Sequence, residues 1–118
     1  MDERIELGFA VGGLPRSVAR WMDIALRSGW FNFGYGSYEG DRGTRCPIAA
    51  AASLAGVWND GAISVGQGEW GSPDGPSPEV EEFAAWFDLC SAEDGLDTAI
   101  AVVKRTLDSS SDVASLAA

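Results

Sequence analysis

The segment 47–58 constrains the fold more than any other part of this 118-residue chain. Pro47 suits the first turn of a helix, and the residues after it leave no polar face at helical spacing. The apolar members of the segment are Ile48, Ala49, Ala50, Ala51, Ala52, Leu54, Ala55 and Val57. A helix that is apolar on all sides is a buried one. We therefore place a helix over 47–58 at the centre of the fold.

Three further helices are predicted around this central helix. The first covers 14–28, where apolar residues share one broad face and a narrow stripe of Arg16, Arg20, Asp23 and Arg27 lies opposite. The second begins at Ser77 and Pro78, an N-cap hydroxyl followed by proline, and runs to about Cys90. Ser91 with Asp94 resembles a capping box, which predicts a last helix from Leu96 to Leu107.

Two or three short strands are expected beside these helices. Large apolar or aromatic residues alternate with other residues over 4–11 and 30–36, and 62–66 follows a strong turn signal at Asn59-Asp60-Gly61. The predicted fold is therefore α+β, with about four helices around the central one and a small antiparallel sheet. A mainly α fold is the alternative. We expect a single compact domain over 1–108 and a frayed or disordered tail over 109–118.

The charge of the chain is divided unevenly between its two parts. Residues 1–45 carry six acids and six arginines, whereas 46–118 carry twelve acids against Lys104 and Arg105 alone. The whole formal net charge of −10 therefore lies in the second part. A field of one sign attracts cationic surfaces and repels nucleic acid and anionic membranes. We expect a basic protein surface as the partner, with no direct binding to nucleic acid and no membrane association.

The chain contains no histidine, which excludes Ser-His-Asp and Cys-His catalysis and removes the commonest transition-metal ligand. No cofactor and no metal site is predicted. The two cysteines lie 44 residues apart, so neither a disulfide framework nor a zinc site is expected. An acidic N-terminus unlike a signal peptide, together with this cysteine usage, indicates a cytoplasmic protein.

Cys46 is the one candidate catalytic residue. It precedes Pro47 at a helix start and has Arg45 and Arg42 nearby in the sequence, an arrangement that can stabilise a thiolate. Without a histidine to activate it, the alternative interpretation is a small apolar residue under the central helix.

The candidate partner-binding residues are mostly acidic. They are Trp70, Asp74, Glu79, Glu81, Glu82, Asp88, Glu93 and Asp94. Carboxylates spaced along helices can imitate a phosphate backbone, although helix N-terminal preference alone explains part of this cluster. Trp70 lies in an irregular Gly-Glu-Trp-Gly segment, either as an exposed anchor for a partner or folded back over the core.

Three functions remain open. The favoured one is a non-enzymatic acidic module that occupies a basic, nucleic-acid-binding or other, surface of a partner protein. Inhibitors and nucleic-acid mimics of phages and mobile elements are of this kind. The second is a small cysteine-based enzyme or redox protein using Cys46. The third is a structural or assembly protein, a homodimer included, in which the acidic part meets the arginine stripe of a second copy.

Overall fold

The structure is a computed structural model that describes residues 2–36, 43–59, 62–63, 68–72 and 75–117. Within these residues the protein is mainly α-helical. The helices are α1 (Glu3–Gly12), α2 (Arg16–Ser28), α3 (Pro47–Ala55), α4 (Pro78–Asp94) and α5 (Leu96–Ala117). The strands are β1 (Trp58–Asn59), β2 (Ala62–Ile63), β3 (Gly71–Ser72) and β4 (Gly75–Pro76), and a 3₁₀ turn spans Gly68–Trp70. The mainly α alternative is confirmed, and the α+β fold with a small sheet is wrong.

The strand predicted over 4–11 is a helix, α1. The Asp2 side chain caps it by accepting a hydrogen bond from the backbone N–H two residues on, at 3.0 Å. Its buried residues stand at helical spacing and are Leu7, Ala10 and Val11. Two members of the predicted apolar strand face, Ile5 and Phe9, are 56% and 72% exposed. In a strand over 4–11, Ala10 would lie on the face opposite Leu7 and Val11. In the helix it lies on the same buried face as these two residues.

The second predicted strand, 30–36, forms a single parallel bridge and no strand. The N–H of Gly34 donates to the Arg45 carbonyl at 3.0 Å, and the N–H of Arg45 donates to the Asn32 carbonyl at 2.9 Å. Pairing cannot extend further along the second segment because Pro47 begins α3 two residues later. The antiparallel strand predicted here is therefore wrong.

The third predicted strand is only partly within the described residues. β1 and β2 pair antiparallel, with Trp58 opposite Ile63 and Asn59 opposite Ala62. α3 ends before this hairpin, at Ala55, because Gly56 takes a left-handed φ of 80°. The predicted helix end at 58 was thus three residues late, and 64–66 lie outside the described residues.

α4 begins as predicted and ends later than predicted. The N–H of Val80 donates to Ser77 Oγ at 3.3 Å, which confirms the N-cap. The helix continues to Asp94, so Ser91 lies inside it and the predicted capping box is wrong. Gly95, with a φ of 97°, ends α4, and α5 follows at once. The single domain over 1–108 and the frayed tail after it stay predictions.

The helices form two groups around one hydrophobic core. α1, α4 and α5 pack on one another, and α2 packs on α3. The first six residues of α3, 47–52, are all buried, so the predicted burial of the central helix is confirmed there. Phe83 and Phe87 of α4 stack with ring centroids 5.7 Å apart, and both are fully buried. Among the described helices, none has the length and apolar character needed to cross a bilayer.

Candidate protein-binding surface

α4 separates a buried side from an acidic outer side. Its N-cap and first-turn proline start the helix, and acids near the N-terminus are stabilised by the positive end of the helix dipole. The buried side consists of Val80, Phe83, Phe87, Cys90 and Ser91. These residues fix the helix against α1 and α5, so the opposite side faces solvent.

We define the acidic face of α4 by Glu82, Trp86, Leu89 and Glu93. These four residues follow one another at intervals of four, three and four, which places them in one stripe along the helix. Glu82 and Glu93 are exposed, Trp86 is half-buried and Leu89 keeps 48% of its surface in contact with water. The stripe therefore presents an apolar centre between two carboxylates, an arrangement suited to a partner that is both basic and apolar.

Two more of the predicted acids are exposed near the start of α4. Glu79 and Glu81 both lie in its first turns, and Glu79 lies next to the stripe. Glu81 stands seven residues before Asp88 and so lies on another flank of the helix. Asp74 lies outside the described residues. Four of the eight predicted partner-binding residues are therefore exposed on α4, and three of them, Glu79, Glu82 and Glu93, share one side.

Asp94 faces α1 at the end of the same helix. A hydrogen bond to Asp2 raises the pKa of Arg4, and the charge of Asp94 raises it further. Burial raises the pKa of the Cys90 thiol, and Asp94 again adds to the effect. Asp94 is exposed, but its charge acts on residues beside the N-terminus of α1.

Asp88 faces away from the acidic face and has a structural contact. Its Oδ1 accepts a hydrogen bond from the Gly36 N–H at 2.9 Å, and its side chain is half-buried. This bond joins α4 to the aromatic segment 30–36, across 52 residues of sequence. The prediction of Asp88 as a residue on an open acidic surface is therefore replaced by a role in holding that segment.

Trp70 belongs to the core. Only 4% of it is exposed, and it joins the main hydrophobic cluster. Its carbonyl accepts a hydrogen bond from the Ser77 N–H at 3.0 Å, which ties the 3₁₀ turn to the start of α4. The exposed-anchor interpretation is thus corrected in favour of the alternative in which this tryptophan folds back over the core.

Cys46 occupies the N-cap position of α3 and is only 3% exposed. Burial raises the pKa of its thiol from 9.0 to about 12, and the nearby charge of Asp88 acts in the same direction. The backbone N–H groups of Ile48 and Ala49 lower the pKa, but burial outweighs them. At neutral pH the thiol is protonated and shielded from solvent, which is the reverse of what a nucleophile needs.

Arg45, one of the two arginines predicted beside Cys46, makes its contacts with other residues. Arg45 donates from Nη1 to Ser53 Oγ at 2.6 Å. Its guanidinium also lies 5.9 Å from the ring centroids of Phe31 and Trp58. Arg45 thus clamps α3, β1 and the 30–36 segment together by hydrogen-bond and cation–π contacts. Arg42 lies outside the described residues.

Sequence reasoning missed a groove along α2. We call it the α2 groove; it has a volume of about 580 Å³ and is lined by Arg16, Ser17, Arg20, Trp21, Ile24 and Glu69. The arginine stripe was visible in the sequence, but Trp21 was assigned to the core and Ile24 to no face. Glu69 reaches the groove from the 3₁₀ turn, and no local pattern predicts a contact across 52 residues.

No group of three or more cysteine and acidic side chains in the described part of the chain is arranged to hold a metal ion. No protein-family model matches the chain, and the searches of curated proteins and of solved structures gave no match either.

Proposed function

We propose that this protein is a non-enzymatic binding module whose acidic face of α4 occupies a basic surface on a partner protein. The observation that carries the proposal is the 48% exposure of Leu89 between Glu82 and Glu93 on one stripe of a well-anchored helix. On a surface that serves only solubility, a leucine at this exposed position would stabilise nothing. A leucine in an interface adds apolar burial at its centre, and the carboxylates form the polar rim.

The charge of the whole chain supports the same proposal. From residue 46 to residue 103 the sequence contains no lysine and no arginine, so no basic residue of α4 itself offsets its acids. A negative field accelerates the encounter with a basic surface and disfavours anionic ones, and salt weakens it. If this protein is a nucleic-acid mimic, the basic surface of the partner itself binds nucleic acid. Duplex DNA then competes with this protein for that surface.

The test is capture from a lysate of the source organism, with elution in a salt gradient. The variant Glu81→Lys with Glu82→Lys is compared with the control Glu6→Lys with Asp97→Lys. Both double variants change the net charge by the same amount. In each variant, at least one of the two replaced acids is an exposed or half-buried residue in the first turn of a helix. We expect one stoichiometric basic partner on the unmodified protein and on the control, and its loss from the α4 variant. Asp88 is left unchanged because it holds Gly36.

A second variant pair tests the apolar centre with the partner captured above. Leu89→Ala removes the side chain at the middle of the acidic face, and Ile5→Ala removes an equally exposed aliphatic side chain on α1, which is 56% exposed. We expect roughly a tenfold loss of affinity for Leu89→Ala, about 1.4 kcal/mol, and no change for Ile5→Ala. Equal retention of the partner by every variant, or retention that does not depend on salt, would show that the acidic face of α4 is not the binding surface.

A further inference from the structure

The α2 groove contains two cations that pair with no acid of the described part of the chain. Arg16 and Arg20 are exposed, one helical turn apart, and no ion pair to either is found among the described residues. Arg27, on the same stripe, differs because it pairs with Asp23 at 2.8 Å and also with Asp108. In a chain with eighteen acids and eight basic residues, two neighbouring guanidinium groups left unpaired are available to an outside carboxylate.

The one acid that lines the groove is held by a hydroxyl group. Ser17 Oγ donates a hydrogen bond to Glu69 Oε2, and the buried Trp70 next to it anchors the 3₁₀ turn. Glu69 thus lines the groove through its bond to Ser17 and forms no ion pair with Arg16 or Arg20 among the described contacts. Trp21 and Ile24 supply apolar surface beside them, and Ile24 is 38% exposed.

We infer that the α2 groove binds the acidic face of α4 on a second copy of this chain. The inference rests on the proposed function because it uses the same face of α4, and it adds self-association as a further use of that face. Charge complementarity selects this occupant: the groove offers guanidinium groups and apolar side chains, and the acidic face offers carboxylates and apolar side chains. Carboxylate and guanidinium form the strongest of the common side-chain ion pairs, with two parallel hydrogen bonds.

The two helices also match in spacing. Arg16, Arg20 and Ile24 lie on one ridge of α2 at intervals of four residues. The acidic face of α4 repeats at intervals of four, three and four, so its successive side chains rise by about 6, 4.5 and 6 Å along the axis, close to the step of about 6 Å on α2. Ridges on one helix pack into the grooves of another. With Ile24 opposite Leu89, antiparallel helices bring Arg20 to Glu93, and parallel helices bring Arg16 to Glu82.

The overall charge gives this contact a distinctive dependence on salt. Two copies with a formal charge of −10 each repel one another at long range. At about 0.01 M salt the repulsion reaches roughly 30 Å, and at about 0.15 M it is screened beyond roughly 8 Å, whereas pairs in contact are screened much less. Self-association should therefore be weaker at the lower salt concentration. Binding to a basic partner should instead be strongest there, so the two proposals predict opposite changes.

The experiment uses two full-length variants and sedimentation velocity in the range of about 10 µM to 1 mM, which suits a small, weak interface. Variant one carries Arg16→Glu with Arg20→Glu, and variant two carries Glu82→Arg with Glu93→Arg. All four residues are exposed, and circular dichroism checks that both variants keep their helices. We expect the unmodified protein to associate at about 0.15 M salt and each variant alone to lose at least tenfold in association. Mixing the two variants should produce a one-to-one complex, because one intact acidic face then meets one intact α2 groove.

Each other outcome overturns the inference. If the unmodified protein stays monomeric at both salt concentrations, or if variant one still associates, the second copy is not the occupant. If a mixture of the two folded variants forms no complex, the second copy is again not the occupant.

The proposed function is refuted by a separate result, namely equal retention of the lysate partner by the Glu81→Lys, Glu82→Lys variant. Loss of that partner together with a monomeric protein would leave the proposed function intact and remove only the inference.

Discussion

The placement of Trp70 makes a quantitative prediction about stability. The structure buries this side chain to 4% exposure, at the junction of the 3₁₀ turn with α2 and the start of α4. Truncating a buried tryptophan removes its transfer free energy and leaves a cavity, which together cost about 3–5 kcal/mol. We therefore expect Trp70→Ala to lower the free energy of unfolding by that amount, a large part of the roughly 5–15 kcal/mol typical of a domain.

The matched control is Trp30→Ala, which makes the same chemical change at a side chain that is 71% exposed. A surface substitution of this kind stays within about 0.5 kcal/mol. Urea denaturation followed by circular dichroism compares the two, because a loss of 3–5 kcal/mol moves the midpoint by roughly 2 M and leaves the slope unchanged. In thermal melts the expected drop for Trp70→Ala is roughly 12–20 °C.

The interpretation of Trp70 as a core residue would be refuted by a small effect. A cost of less than about 1 kcal/mol for Trp70→Ala lies below the range for any buried tryptophan. An equal cost for the two variants would mean that burial does not distinguish the two sites. If Trp70→Ala fails to fold, Trp70→Phe keeps an aromatic ring in the core, and its smaller loss of stability can be measured instead.

Two further predictions concern Cys46 and Asp88. The pKa of Cys46, raised from 9.0 to about 12, lowers its thiolate fraction about a thousandfold at neutral pH. Iodoacetamide should therefore label Cys46 roughly a thousandfold more slowly in the native protein than in the urea-unfolded chain. Labelling at the rate of a free thiol would restore the cysteine-enzyme hypothesis. Because the folded state raises this pKa, the contribution of the Cys46 thiol to the free energy of unfolding is fully present below pH 9 and is lost as the pH rises towards 12. A Cys46→Ala variant should lack this loss. Asp88→Ala removes the acceptor of the exposed Gly36 N–H and should cost about 0.5–1.5 kcal/mol with faster hydrogen exchange at Gly36, whereas Asp88→Asn keeps an acceptor oxygen and costs less. Unchanged exchange in Asp88→Ala would contradict the contact.

One functional expectation from the sequence holds only in part. The sequence predicts that the six acids of α4 form one surface, but only Glu79, Glu82 and Glu93 share one side, Glu81 lies on another flank, and Asp88 and Asp94 face other elements of the fold. A helical wheel gives the angular position of each side chain about the helix axis. It does not show which other element of the fold lies on that side. The partner-binding face is therefore smaller than the acidic cluster, and it gains Trp86 and Leu89 from the same stripe.

The sequence by itself determined the features that depend on short-range chemistry. The cap at Ser77, the position of α2 and the burial of 47–52 in α3 follow from spacing, capping groups and apolar content within a few residues. The concentration of negative charge after residue 45 is likewise a property of the sequence alone.

Only the tertiary structure decided the features that depend on distant residues. The alternation over 4–11 agrees with a strand and, through Ala10, with a helix, and packing against α4 and α5 selected the helix. The contacts of Asp88 with Gly36 and of Ser17 with Glu69 each join residues 52 positions apart. Local periodicity cannot encode such pairs, since they form only once the core has brought their elements together. For the same reason the α2 groove, which is completed by Glu69 from the turn beside Trp70, could not be seen before the fold.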